Sequence, residues 1–447
     1  MADLPKAFCD RIRIQFGTTG DALLEALDRP VKSSVRLNSH KHSESFKDAN
    51  QVPWNSQGRV LNERPVFTLD PLFHAGCYYP QESSSMFLQW VLEQTCAPHG
   101  NFKALDLCAA PGGKSLIISD FIGQNGVLIS NEVIRSRAHI LKEVVTKWGA
   151  SNTVVTNAKA EELGNLSGWF DCIVVDAPCS GEGMFRKDQQ ARVEWNENSV
   201  EQCSTRQKSI LNDVLPALKE SGLLIYSTCT FAPEENENML QTLVDSGEFE
   251  SVRFSVPHDW PIDVVDANGI FACRFLPHKV EGEGFFIGVL RKKANSGHHN
   301  TKGKRIFESV GKKEREAIAK FGIQATEIVL GPDGECYASP LKIDALNVLA
   351  TEAYVLMPGV QLGKVMRTDL IPDHALAMAS DIFHPNRACS LDLMQAQAYL
   401  RGEAIQVDAA DGWCVAAYES HALGWMKVIG PRVNNYYPKE WRVRMKQ

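Results

Sequence analysis

The chain has 447 residues, 44% of them hydrophobic and 23% charged, with a formal net charge of −7. That is more than one ordinary domain and ample material for a core, so the class is soluble and globular. The acidic balance gives no hint of nucleic acid, no run of 18 apolar residues marks a membrane span, and the twelve cysteines show neither framework spacing nor a Cys-x-x-Cys pair. A cytoplasmic enzyme without metal and away from membranes is the expectation.

In chain order, Asp21 to Leu27 has helical spacing, Ser34 to Asn38 reads as a strand, and a second short strand is expected at Val66 to Leu69. Residues 1–70 therefore read as a small α+β appendage. Residues 71–292 then repeat strand, turn and helix. Strands are expected at Ala104–Leu107, Val127–Ser130, Thr153–Thr156, Cys172–Val175 and Leu223–Ser227, with Gly284–Leu290 closing the sheet. Helices are expected at Lys114–Phe121, Ile134–Trp148 and Ser204–Lys219, and again after Pro233. This alternation predicts an α/β fold with a doubly wound, mostly parallel sheet and functional groups at the carboxyl ends of its strands. Residues 293–305, which include Asn295-Ser296-Gly297-His298-His299-Asn300, read as a flexible linker. Two further domains, 306–372 and 373–447, follow. In the first, Ile306–Phe321 looks helical and short strands fall near Glu327–Leu330, Ala353–Met357 and Gly363–Val365.

Three motifs carry chemistry. The turn Asp106-Leu107-Cys108-Ala109-Ala110-Pro111-Gly112-Gly113-Lys114 follows a strand and opens a helix, and its glycines let backbone approach a ligand. It matches neither the dinucleotide fingerprint nor a P-loop. The next strand ends in Asn131-Glu132, where a carboxylate can accept both hydroxyls of a ribose; an ordinary exposed Glu is an equally fair reading. Finally, Asp176-Ala177-Pro178-Cys179 and Thr228-Cys229 end two strands with thiols set 50 residues apart. Most free cysteines are inert core residues, and Cys108 and Cys172 fit that description. Cys179 and Cys229 stand where a doubly wound fold holds its ligands, so the trio suggests a transferase that attacks its substrate covalently.

The overall acidity conceals two basic stretches. From Lys292 to Arg315, eight Lys/Arg face two Glu; from Gly424 to Gln447, six Lys/Arg face Glu440 alone. In the second stretch Trp425, Tyr436, Tyr437 and Trp441 interleave with Lys427, Arg432, Lys439 and Arg442, a composition suited to stacking bases and meeting phosphates. A solvated face with a few core aromatics is the commoner outcome for a charge run alone.

These residues resemble the Nol/Nop/Sun family of S-adenosylmethionine-dependent RNA cytosine-5 methyltransferases and, within it, the bacterial RsmF-like rRNA enzymes. The resemblance covers nearly the whole chain. It is carried by Gly76-Cys77-Tyr78-Tyr79-Pro80-Gln81-Glu82-Ser83-Ser84-Ser85, the Cys108–Lys114 turn, Asp176 to Lys187, Arg206-Gln207, and Ser227-Thr228-Cys229 with Pro233-Glu234-Glu235-Asn236-Glu237. Gly424-Trp425 and Asn435-Tyr436-Tyr437-Pro438-Lys439 resemble the PUA-like RNA-binding module of the same group.

The resemblance implies a Rossmann-like methyltransferase core with S-adenosyl-L-methionine as cofactor. Cys108, Ala109, Ala110, Pro111, Gly112, Gly113 and Lys114 would cradle its methionine and adenosine, and Glu132 would hold its ribose. Asp176 would contact cofactor and target cytosine, with Cys229 the nucleophile and Cys179 assisting product release. Many members carry an Asp after the third strand; here Asn157 stands near that place as a substitute partner for adenine. The expected RNA contacts are Arg36, Arg186, Lys187, Lys427, Arg432, Tyr437, Lys439 and Arg442, in a monomer acting on rRNA.

The implied chemistry explains two thiols. Carbon 5 of cytosine is a poor nucleophile until a thiolate adds at carbon 6. An acid such as Asp176 would stabilise the adduct at ring nitrogen 3, and Cys179 is a candidate for the later loss of the C5 proton. In DNA cytosine methyltransferases the Pro-Cys thiol attacks instead, and Thr228-Cys229 favours the RNA pattern. The target base must be unstacked. A tRNA enzyme of the same family, or a catalytically silent RNA-binding assembly factor, are the alternatives.

Overall fold

In the computed structural model, residues 3–293, 303–325 and 327–445 are described. Most of the expected linker, 294–302, lies outside them. The N-terminal part comprises helices Lys6–Phe16 and Gly20–Leu27 and a four-stranded antiparallel sheet ordered Asn50–Val52, Asn55–Val60, Ser34–Leu37, Tyr78–Pro80. The strand expected at Val66–Leu69 is instead a 3-10 turn at Phe67–Leu69 leading into a short helix, Pro71–His74. Asp70 caps that helix through the Leu72 N–H, and Pro71 occupies its first position, where no donor is needed.

The central sheet has ten strands: β1 Phe102–Asp106, β2 Gly126–Asn131, β3 Thr153–Asn157, β4 Phe170–Asp176, β5 Leu218–Thr228, β6 Phe249–Ser251, β7 Asp263–Ala267, β8 Ile270–Phe275, β9 Phe285–Lys292 and β10 Tyr354–Met357. The order is β7-β8-β9-β5-β4-β1-β2-β3-β10, with β6 on β9. Strands β1 to β5 are mutually parallel and the others pair antiparallel. The buried parallel strands are apolar on both faces: Leu105, Ile129, Ile173 and Leu224 join one core, and Ala104, Leu128, Val174 and Ile225 the other. Chain order reverses between β1 and β4, which opens a crevice at their carboxyl ends.

Several boundaries differ from expectation. The helix expected at Ser204–Lys219 runs from Glu197 to Val214. Asn196 caps its start, Pro216 follows its end, and Lys219 belongs to β5. Strand β9 does not close the sheet, because the β7–β8 hairpin lies beyond it. Of Ile306–Phe321 only Lys312–Ala319 is helical. Part of residues 306–372 joins the central sheet and its core. Strand β10 pairs with β3, Tyr354 opposite Asn157, while Phe307, Leu346 and Leu349 enter the same core as Leu105. The remainder of that stretch forms a five-stranded antiparallel sheet. The chain ends in a four-stranded sheet, Ala388–Ser390, Gly412–Tyr418, His421–Ile429 and Arg432–Asn435, with helix Leu393–Arg401 packed on it. Among the described residues no helix is long and apolar enough to cross a membrane.

Candidate active site at the carboxyl ends of the parallel strands

The turn after β1 is held from below. Asp106 Oδ2 accepts a hydrogen bond from Ser115 Oγ at 2.6 Å, while its Oδ1 is buried without a partner. Burial pushes this carboxyl up to about 7. Asn131 at the end of β2 ties three loops together, donating to the carbonyls of Leu107 and Ala158 and accepting from Thr156 Oγ1. Gly112 has φ +131°, and a Cβ there would stand 2.8 Å from Val144 Cγ1, so both conformation and space require glycine.

Glu132 is buried beside this turn, accepting from the Ile134 N–H at 2.9 Å and paired with Arg137 at 3.3 Å. Arg137 also donates to Ala110 O at 2.8 Å, so one guanidinium spans the turn and the carboxylate. Asn157 spends its amide N–H groups on the carbonyls of Glu132 and Val133, at 2.6 and 2.9 Å. It therefore secures the loop after β2.

Asp176 at the end of β4 accepts from Ser227 Oγ at 2.8 Å and pairs with Lys114 Nζ, also at 2.8 Å. Burial pulls the Lys114 ammonium down, but Asp176 and Asp106 outweigh it and raise its pKa. The two thiols of β4 and β5 meet at 3.1 Å between sulfurs, and the Cys229 N–H points to Cys179 Sγ at 3.4 Å. The hydrogen bond with Cys229, burial and the Glu235 carboxyl push Cys179 well up, so it keeps its proton.

The loops that carry these thiols are locked to each other. Glu235 accepts from the Ser180 N–H, the Ser180 hydroxyl and Gln207 Nε2. Gln207 also donates to Pro178 O. Burial holds the Glu235 carboxyl at about 7. Glu182 accepts from Trp195 Nε1 and the Phe231 N–H, and Arg11 of the N-terminal helix pairs with it. At Gly183 an added Cβ would lie 2.7 Å from both Cys229 O and Gly284 O, which shows how closely three loops converge.

Between them opens a cleft of about 310 Å³. Cys108, Ala109, Ala110, Pro111, Gly113, Lys114, Asp176, Lys187 and Cys229 line it, while Gly112 lies beneath, against Val144. Cys179 is behind Cys229 and does not line it. Tyr79 to Glu82 and Ser85 of the N-terminal part, Met184, and Glu283, Gly284 and Phe285 at the start of β9 supply the rest of the wall, with Lys114 Nζ 5.3 Å from the Phe285 ring centroid. Neither Glu283 nor Phe285 was expected from the sequence, and Glu235 appeared only inside a motif. A short acidic run before an apolar strand gives no sign that one of its carboxyls will be enclosed.

Several expected RNA contacts are elsewhere. Arg36 is only 2% exposed, paired with Asp120 at 2.6 Å and lying over Trp148. Tyr437 is 2% exposed, packed among Tyr399, His374 and His74. Both are core residues: Arg36 Nη2 meets Asp120, and the Tyr437 hydroxyl meets His74 Nδ1. Trp425 is also core, donating to Asp373 O at 2.8 Å. Arg186 is a strap, bonded to the carbonyls of Pro30 and Gly282. Arg442 packs over Gly402, and its Nε is buried. Lys427 lies 5.2 Å from the Trp413 ring centroid, Trp441 is half-buried against His374, and Arg432, Lys439 and Tyr436 remain exposed.

Three family models match in chain order: the N-terminal domain of 16S rRNA methyltransferase RsmF at residues 4–83, the 16S rRNA methyltransferase RsmB/F model at 93–291, and the methyltransferase RsmF PUA domain at 386–443. The ribosomal RNA small subunit methyltransferase F of Vibrio atlanticus (strain LGP32) is 28% identical over 94% of this chain and 93% of its own length. That of Aeromonas salmonicida (strain A449) is 29% identical over the same shares. A methyltransferase homolog protein from Pyrococcus horikoshii superimposes with a TM-score of 0.55 at 28% identity, covering 64% of this chain and 95% of that one. The structure of NSun6 from Pyrococcus horikoshii with SFG, 20% identical, shares the fold at a TM-score of 0.56, over 66% of this chain and 99% of its own.

Proposed function

Because the chain belongs to the RsmB/F family of rRNA methyltransferases, we propose that it forms 5-methylcytosine in small-subunit rRNA through a bond between Cys229 Sγ and carbon 6 of an unstacked cytosine. The methyl donor is S-adenosyl-L-methionine, and the residues fit it. Cys108 to Pro111, Gly113 and Lys114 line the cleft over a Gly112 that has no room for a side chain, the Asp106 carboxyl has an uncommitted oxygen beneath the turn, and Glu132, held beside the turn by the Ile134 N–H and Arg137, is the carboxylate proposed to meet a ribose. Bound there, the donor supplies an electrophilic methyl group on sulfur.

The observation that carries the reading is the arrangement of the two thiols. Cys229 lines the cleft beside the Lys114–Asp176 pair, with Cys179 3.1 Å behind it. Addition of Cys229 Sγ to carbon 6 moves an electron pair toward carbon 5 and the N3–O2 edge of the ring. Lys114 Nζ, steered by Asp176, is a cation suited to that developing charge. Cys179, which keeps its proton, can donate S–H to the Cys229 sulfur when it leaves.

Tritium transfer from labelled S-adenosylmethionine to total RNA, fractionated by size, tests this. Label confined to 5-methylcytosine of small-subunit rRNA is expected. Label in tRNA, or in another base, would overturn it.

A further inference from the structure

The cleft wall carries a carboxyl group that the mechanism above does not use. Glu283 lines the cleft with Cys229, Asp176 and Lys114, is 6% exposed, and has an Oε2 without a hydrogen-bond partner. Its backbone is fixed: the N–H donates to Glu82 Oε1 at 2.8 Å and the carbonyl accepts from Ser84 Oγ at 2.9 Å. Phe286 pairs with Thr228, and Gly183 donates to Cys229 O while lying against Gly284, so Glu283 is anchored beside the end of β5.

The other candidate bases are committed. The Glu82 carboxylate holds the backbone N–H groups of Ser84, Ser85 and Glu283. Asp176 holds Ser227 and Lys114. Cys179 keeps its proton and stands behind Cys229.

We propose that Glu283 is the general base that removes the C5 proton after methylation. The proposal rests on the covalent reading above. The methylated adduct carries Cys229 Sγ on carbon 6 and both hydrogen and methyl on carbon 5. The Glu283 carboxylate takes that proton, the C5–H electron pair becomes the C5–C6 double bond, and the C6–S pair returns to Cys229 as thiolate. Glu283, now protonated, passes its proton to water. Burial and the Glu82 carboxylate push Glu283 up to about 7, against Arg186 and Lys187, which pull it down. A carboxyl raised in this way is a stronger base than a free one, which suits it to accept a carbon proton.

The test compares the wild type with Glu283→Gln on two RNAs, one with ordinary cytidine and one with 5-fluorocytidine, whose C5 substituent cannot leave as a cation. Both proteins should form a methylated, denaturant-resistant adduct with the fluorinated RNA, because every step before elimination is intact. On ordinary RNA the variant should accumulate the same adduct and turn over about 10²–10⁴-fold more slowly. The wild-type rate should rise through pH about 7 and the variant's should not, with part of the rate restored by Glu283→Asp. Turnover at the wild-type rate without adduct would overturn the assignment and leave the covalent reading standing. Failure of the variant alone to trap fluorinated RNA would place Glu283 before methyl transfer and overturn it as well. If the wild type does not trap fluorinated RNA, the covalent reading itself falls, and the base with it.

Discussion

At the cleft most charged and polar side chains are drawn inward and partnered, Lys114 with Asp176, Glu132 with Arg137, Glu235 with Ser180 and Gln207, and only single oxygens such as Asp106 Oδ1 and Glu283 Oε2 are left open. In the C-terminal part the aromatics Trp425 and Tyr437 go inside, while Arg432 and Lys439 stay in water. Burial is costly for a charge unless it is paired and hydrogen-bonded, so each enclosed charge at the cleft needs a built set of partners. An exposed cation needs none. The cleft should therefore respond to single atoms, whereas any effect of the C-terminal face on RNA should follow its summed charge.

The sharpest way to break that comparison is at the thiols. Cys229→Ala should lower methyl incorporation by about 10⁴-fold or more and yield no denaturant-resistant RNA complex. Cys179→Ala should still attack and methylate, then hold the RNA in a species that survives denaturing electrophoresis. The reverse pattern would make Cys179 the nucleophile. Next in size, Gly112→Val should remove cofactor binding in calorimetry and cost about 1–3 kcal/mol of stability, because Val144 and a φ of +131° both oppose a side chain.

Arg36→Ala should destabilise the protein by about 3 kcal/mol in denaturant titration, since it leaves Asp120 without its cation, and the salt slope of RNA binding should not move. The pair Arg432→Ala and Lys439→Ala should do the opposite. Stability should hold within about 0.5 kcal/mol, and the salt slope should fall by about 1.4–2. An unchanged slope would remove the C-terminal face from the RNA path.

The same contrast explains what could be read from the chain. The glycine turn and the strand-end thiols were legible because backbone demands and strand periodicity are written locally: Gly112 for its φ, the apolar run before Asp176 for its strand. Arg36 and Tyr437 were misread because charge and aromaticity do not encode burial, which depends on Asp120 and His74, both distant in sequence. Glu283 was overlooked for the same reason, since its enclosure is made by Glu82 and Ser84 from the other end of the chain. The helix expected at Ile306–Phe321 was too long because Phe307 and Val310 are apolar for the sake of two different cores.

Strand β10 has a consequence for how the molecule is made. Before Tyr354–Met357 arrives, β3 presents its apolar edge with a row of unsatisfied backbone groups, a template for joining another chain. A nascent polypeptide leaves the ribosome with β3 long before β10, so the unguarded edge is an aggregation hazard during synthesis that later residues remove. Shortening the protein after β9 would make that hazard permanent. The segment beyond residue 303 is thus a built-in cover for the catalytic sheet as well as the route to the C-terminal module.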